Sequence, residues 1–169
     1  MHPEAQRLIG LLDLEPHPEG GWYRETWRGR GEAQVRGLDG EVAGRRSPGT
    51  SIYYMLADQE VSHLHRLQVD EVWHLYAGGP LLLQVLHPGG DLRTIELGDQ
   101  ETASYQTIVP AGHWFGAMLA DAGSYALAGC TLAPGYHSDD CELADGQALA
   151  RTFPVHAELI RRLTPDRSG

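Results

Sequence analysis

Between residues 50 and 133 the chain is cut at short, regular intervals by turn-forming residues, and this punctuation directs it toward an all-β fold. Gly78-Gly79-Pro80, Pro88-Gly89-Gly90-Asp91, Pro110-Ala111-Gly112, Asp121-Ala122-Gly123 and Pro134-Gly135 combine glycine, which tolerates left-handed backbone, with proline, which fixes φ. The intervening segments read as strands over about 50–57, 60–65, 70–77, 81–87, 91–97, 104–109, 113–119 and 124–133. Short strands at this spacing predict a sandwich or barrel.

The flanks read differently. Pro3 suits a first helical turn, and Leu8, Ile9, Leu11 and Leu12 form an apolar stripe, so a helix is predicted over 3–13 and ends before Pro16 and Pro18. Gly20-Gly21 leads into WYRETW, where alternation puts Tyr23, Glu25 and Trp27 on one face and Trp22, Arg24 and Thr26 on the other. Residues 29–49 are expected to form an exposed hairpin or loop turning at Asp39-Gly40. Near the end, Asp145 is placed to cap a short helical turn through Leu149, and Pro154 opens a helix over about 154–164 with Val155, Leu159, Ile160 and Leu163 on one side. The 169 residues are expected to form one domain, its β core spanning about 20–137.

A net charge of -10 argues against nonspecific nucleic-acid binding, and no basic run or long apolar stretch suggests a membrane. The N-terminal segment carries acids and lacks a cleavage-type signal, so a cytoplasmic location is expected. All 13 basic residues are arginine, which removes Schiff-base lysine chemistry and a phosphate-loop lysine. Two cysteines, Cys130 and Cys141, are too few for a disulfide scaffold and are expected to be reduced thiols.

Chemistry concentrates in SHLHRLQVDEVWHLYAGGP, residues 62–80. On a regular strand His63 and His65 share a face, and Glu71 returns toward them after a short turn. Histidine and carboxylate together supply either metal ligands or an acid–base pair. His74 alternates away from Glu71 and Trp73, toward an interface or a hydrogen bond outside the pocket. Glu25, Trp73, Trp114 and His113 are candidate pocket residues. Tyr53, Tyr54, Tyr105 and Tyr125 are candidate phenolic acids, with no choice made among them. Asp139, Asp140 and Glu142 are read as a solvated acidic loop, and His2, His17, His87, His137 and His156 as solvated histidines.

Segments 62–80 and 107–116 resemble the two signature motifs of the cupin superfamily, whose members are small jelly rolls. His63, His65, Glu71 and Gly78 fall at the first motif's positions, with one extra residue between His65 and Glu71. Pro110-Ala111-Gly112 matches the second, but Phe115 stands at its histidine position and His113 lies two residues earlier. The chain is also similar over nearly its whole length to a subfamily of uncharacterised single-domain cupins of bacteria and fungi, through HPEGGWYRETWRG, SIYYML, HRLQVDEVWHLYAGGPL, VPAGHWFGA and LAPGYHSDDCEL. The resemblance implies a double-stranded β-helix with flanking N- and C-terminal α-helices, a likeness in fold to sugar-nucleotide epimerases, a homodimer and a small-molecule ligand.

Three functions are compatible with these residues. One is a metal-independent pocket carrying epimerase- or isomerase-like chemistry on a sugar or keto compound, with His65 as base and Glu71 orienting it. The second is an enzyme whose divalent metal is held by His63, His65, Glu71 and His113. The third is a noncatalytic ligand-binding module.

Overall fold

The computed structural model describes residues 1–165. Its elements follow the punctuation of the sequence. Helix α1 (Pro3–Leu12) precedes a very short strand β1 (Glu15–Pro16) and β2 (Trp22–Arg28); β3 (Ala33–Arg36) and β4 (Val42–Arg46) form the expected hairpin around Asp39-Gly40. The core strands are β5 (Thr50–Ala57), β6 (Val61–Leu67), β7 (Glu71–Gly78), β8 (Leu81–Leu86), β9 (Leu92–Leu97), β10 (Gln106–Val109), β11 (Trp114–Leu119) and β12 (Tyr125–Leu132). A short strand β13 (Cys141–Leu143), then α2 (Gly146–Thr152) and α3 (Ala157–Arg162), complete the order. Asp145 caps α2 as expected, its carboxylate accepting from the Ala148 N–H at 2.9 Å.

Two antiparallel sheets face each other as a jelly roll. One has the order β1-β2-β5-β12-β7-β10, the other β13-β6-β11-β8-β9. At one end of the sandwich Leu56, Leu75, Leu81, Leu83, Leu97, Leu119, Ala126 and Ala128 close into a dry core. At the other end the same strands carry different side chains inward. β5 changes from Leu56 to Tyr54, Ile52 and Thr50, β7 from Leu75 to Trp73 and Glu71, and β12 from Ala128 to Cys130 and Leu132. There the sheets enclose a cavity of about 380 Å³ instead of a packed interior. Apolar side chains thus hold the sandwich together at one end, while polar and aromatic ones keep it open at the other.

The helices cover outer faces. Helix α1 packs Ala5 and Leu8 on Met55, Ala57 and Leu127 behind the six-stranded sheet. Helices α2 and α3 bring Leu149 and Ile160, with the following Leu163, onto Leu64, Leu86 and Met118 behind the five-stranded sheet. The hairpin β3–β4 is less detached than its polar sequence suggests. Val35 is buried, and Arg46 makes a buried bidentate pair with Asp140 at 2.6 and 2.9 Å. This removes Asp140 from the expected solvated cluster, because two charges taken out of water need each other. No helix of the described residues is long and apolar enough to cross a membrane.

Two bulges set which side chains reach the cavity. In β2, Tyr23 and Glu25 pair with Tyr54 and Ile52, but the register then slips so that Trp27 opposes Ser51 and Arg28 opposes Thr50. Simple alternation put Trp27 beside Tyr23 and Glu25. The extra residue instead turns Trp27 to the outer face and Arg28 inward. In β6, His65 pairs with Phe115 and Ser62 with Ala117, so two residues, His63 and Leu64, lie opposite Gly116 alone. A side chain at Gly116 would stand 2.6 Å from the Ser62 carbonyl oxygen, which is why glycine sits there.

Candidate active site

The loop between β1 and β2 is what completes the cavity. Its backbone folds on itself, with the His17 N–H donating to the Gly21 carbonyl and the Gly20 N–H to the His17 carbonyl. It is stitched to β6 by the His63 N–H, which donates to the Glu19 carbonyl at 2.7 Å. Gly20 has φ +96°, and a β-carbon there would collide with the Val61 carbonyl, so only glycine allows this approach. The loop thereby delivers Glu19, 7% exposed, directly against His65, 3% exposed.

Hydrogen bonding fixes the ring of His65. Its Nδ1 lies 2.8 Å from the His63 carbonyl oxygen, which only accepts, so Nδ1 carries a proton. Nε2 then faces Glu19 Oε2 at 3.2 Å, and one proton is shared across that contact. Glu19 Oε1 accepts from the Cys141 thiol at 3.2 Å. Phe115 packs against the imidazole, its ring centroid 4.1 Å away. A buried carboxylate that orients a histidine and balances its charge is a recurring device of acid–base sites.

Glu71 stands in the same cavity in the opposite condition. Its Oε2 accepts from Trp73 Nε1 at 2.7 Å, and the carboxyl is buried. Burial first, and the charge of Glu19 second, push its pKa up to about 8, so at neutral pH it is a carboxylic acid with a proton to donate. Burial also holds His17 below the usual imidazole range and raises the thiol of Cys130. Tyr54 donates its hydroxyl to the Gly20 carbonyl at 2.6 Å. At the mouth, Arg28 pairs with Glu25 at 2.9 and 2.6 Å and donates to the Tyr136 carbonyl at 3.1 Å.

Among the residues singled out from sequence, His65, Glu71, Trp73 and Glu25 line this cavity. The residue beside His65 is Glu19, however, and Glu71 bonds to Trp73 rather than orienting the histidine. His63 is not a lining residue, because the β6 bulge breaks the alternation that would have paired it with His65. His113 lies in the turn before β11, its Nδ1 against the Pro110 and Ala111 carbonyls and its ring edge-on to His87. Trp114 points to the outer face of the five-stranded sheet, under the Arg66 guanidinium at 4.7 Å. His63, His65, Glu71 and His113 therefore do not converge as a ligand set. Among the described residues no group of three histidines, cysteines or carboxylates is arranged to hold a metal ion.

Sequence reasoning missed Glu19, His17, Arg28, Tyr23 and Tyr136. A signal for the first two was present in HPEGG, where paired glycines permit close backbone approach and carry a histidine and a glutamate beside them. Of the four candidate phenols, only Tyr54 lines the cavity. His74 is on the outer face as expected, hydrogen-bonded to Gln106 at 3.1 Å.

The paired sheets and the enclosed polar end define a cupin. The family model described as cupin superfamily (DUF985) matches residues 6–144, and the chain belongs to that family. It is 35% identical to a protein of Shewanella oneidensis of known structure, with a TM-score of 0.84, covering 95% of this chain and 97% of that one. A hypothetical protein from Leishmania major is 32% identical, with a TM-score of 0.86 and coverage of 96% and 99%. Oxalate decarboxylase from Bacillus subtilis aligns at 17% identity and a TM-score of 0.53, over 90% of this chain and 37% of that one, a likeness of fold alone. No curated protein matches the chain.

Proposed function

We propose that the cavity binds a small organic molecule and moves protons on it, as an isomerase- or epimerase-like catalyst acting next to a carbonyl group. The observation that carries this reading is the enclosure of two unlike proton carriers in one cavity: the His65–Glu19 pair and the neutral acid Glu71. The Glu19–His65 pair, which already shares one proton across 3.2 Å, takes the further proton from carbon on the Glu19 carboxylate, with the His65 imidazole orienting that carboxylate and balancing its charge. Glu71 donates to the carbonyl oxygen as negative charge develops there. A carboxyl kept protonated by an apolar site is suited to that role. Reprotonating the same carbon from its opposite face, as the enol hydroxyl returns its proton to Glu71, gives the epimer; protonating the former carbonyl carbon of an enediol instead gives the isomer.

The test is solvent exchange. Keto sugars and other keto compounds incubated with the protein in heavy water are expected to lose their α-proton signal in NMR spectra. His65→Ala and Glu71→Gln should each slow this by about 10²–10⁴-fold with unchanged circular dichroism. An intact protein that exchanges no keto compound sinks the reading; saturable binding without exchange would point to a noncatalytic binding module.

We also propose that the protein works as a homodimer, paired through the outer face of the six-stranded sheet. Trp27, Tyr76 and Ile108 are all more than half exposed there, and cross-strand register puts all three on the side opposite the cavity. Large apolar side chains exposed on one sheet face favour burial against a partner.

A further inference from the structure

The cavity's charge inventory is one-sided. Four carboxyl groups line it, those of Glu15, Glu19, Glu25 and Glu71, against a single guanidinium, that of Arg28. Arg28 is already committed. Its Nε and one terminal nitrogen bond to Glu25, and the other terminal nitrogen bonds to the Tyr136 carbonyl. The other strong donors are spent in the same way. Trp73 Nε1 goes to Glu71, the Tyr54 hydroxyl to the Gly20 carbonyl, and His65 Nδ1 to the His63 carbonyl. The Tyr23 phenol is bonded to Glu15. The Ser62 hydroxyl is bonded to Tyr54, and what remains on the donor side is uncharged: His17 Nε2, the Thr50 hydroxyl and the neutral carboxyl of Glu71.

Acceptors remain in surplus. Glu71 uses one oxygen on Trp73, and the other, with no hydrogen-bond partner among the described residues, becomes a further acceptor once the carboxyl gives up its proton. The remaining wall is aromatic, with Tyr23, Tyr54, Trp73 and Tyr136 around the cavity. Tyr54 meets Trp73 at 78° and His17 at 86°, so the rings form corners rather than a flat stack. Carboxyl oxygens together with π faces match a ligand that donates hydrogen bonds and carries positive charge. A phosphate or carboxylate group, acceptor-only and negative, would meet like charge and no free cation.

We propose that the ligand is a small organic cation bearing a protonated amine, an amino sugar being the class that also meets the cavity's hydrogen-bonding surface, and that phosphorylated and carboxylated compounds are excluded. This rests on the acid–base reading above only for the choice of site, and narrows its substrate class. The likeness in fold to sugar-nucleotide enzymes therefore does not extend to a diphosphate ligand.

The amine also has a defined effect on the site. Glu71 is faced by Glu19 from the β1–β2 loop, Tyr54 from β5, Cys130 from β12, Cys141 from β13 and Trp73 from its own strand. None of these is a cation, and the His65 imidazole of β6, which lines the same cavity, is already committed to Glu19. An ammonium arriving beside Glu71 favours its ionised form, so binding at neutral pH expels a proton.

Three matched hexoses test this by isothermal titration in buffers of different ionisation enthalpy: glucosamine, glucose and glucose 6-phosphate, with simple alkylammonium ions as further amine probes. The expected order is glucosamine at least about tenfold tighter than glucose, with no binding of the phosphate. Proton release should accompany glucosamine and vanish in Glu71→Gln, which should bind glucosamine no better than glucose. Glu142→Gln, outside the cavity, should match the parent protein. Binding of glucose 6-phosphate, equal affinity for glucose and glucosamine, or no binding by any amine probe overturns the proposal. Amine binding without deuterium exchange in any keto compound would sink the acid–base reading and leave this one standing; exchange into a phosphorylated keto sugar would do the reverse.

Discussion

At the scale of single residues, Glu71 is where fold stability and chemistry meet. Its carboxyl binds a proton more tightly in the folded chain, with a pKa of about 8, than in the unfolded one, at 4.5. The sign follows from linkage. Stability is fully kept below pH 4.5, falls as the pH rises and the unfolded carboxyl ionises first, and reaches its full loss above about pH 8. At about 1.4 kcal/mol for each tenfold difference in proton affinity, the whole effect is on the order of 4–5 kcal/mol. Glu71→Gln keeps an acceptor for Trp73 Nε1 while removing the ionisation. Urea melts across that range should show the parent protein losing stability with pH and the variant much less so, leaving Glu71→Gln the more stable of the two at pH 8. A parallel pH dependence in both proteins would show that Glu71 is not held neutral. A residue that is more stable replaced than present is what an active site retains for function.

At the scale of elements, the decisive pieces are irregular ones. The β1–β2 loop fits because Gly20 adopts φ +96° against the Val61 carbonyl. Gly20→Ala adds both a strained backbone and a backbone clash, and should cost about 2–3 kcal/mol in urea midpoints. Because the same loop carries Glu19, the surviving folded fraction should lose catalytic exchange more than its stability loss explains. A variant that is destabilised but exchanges normally per folded molecule would show that the loop does not position the site. The bulges in β2 and β6 act similarly. Each inserts one residue, and each thereby decides which of two neighbouring side chains faces the cavity: Arg28 rather than Trp27, and His65 with Ser62 rather than with His63.

At the scale of the whole molecule, the two sheets have opposite needs on their outer faces. The five-stranded sheet is covered by α2 and α3, whereas α1 covers only one end of the six-stranded sheet. The uncovered part holds His74, Tyr76 and Ile108, with Trp27 across the sheet. Light scattering on the purified protein should give a dimer, and Tyr76→Arg combined with Ile108→Arg should shift it to monomer while leaving the cavity on the opposite side intact. A parent protein that is monomeric at all concentrations would refute the pairing of this face.

The sequence alone determined the all-β class, the order and approximate bounds of the core strands and the capped helix after Asp145, and it nominated His65, Glu71, Trp73 and Glu25, which line the cavity, together with His63, His113 and Trp114, which do not. These follow from period-two alternation, turn chemistry and motif spacing, which are local and survive in a linear string. Tertiary structure decided the rest. That Glu19 rather than Glu71 faces His65 depends on a loop reaching across from β2 to β6, a contact between residues 46 apart in sequence. That His63, His113 and Trp114 lie outside the cavity depends on a bulge, a turn and a strand face whose phase is set by the partner strand. Alternation predicts faces only while the register is unbroken; one inserted residue reverses every side chain beyond it, and only the pairing strand reveals where the insertion falls.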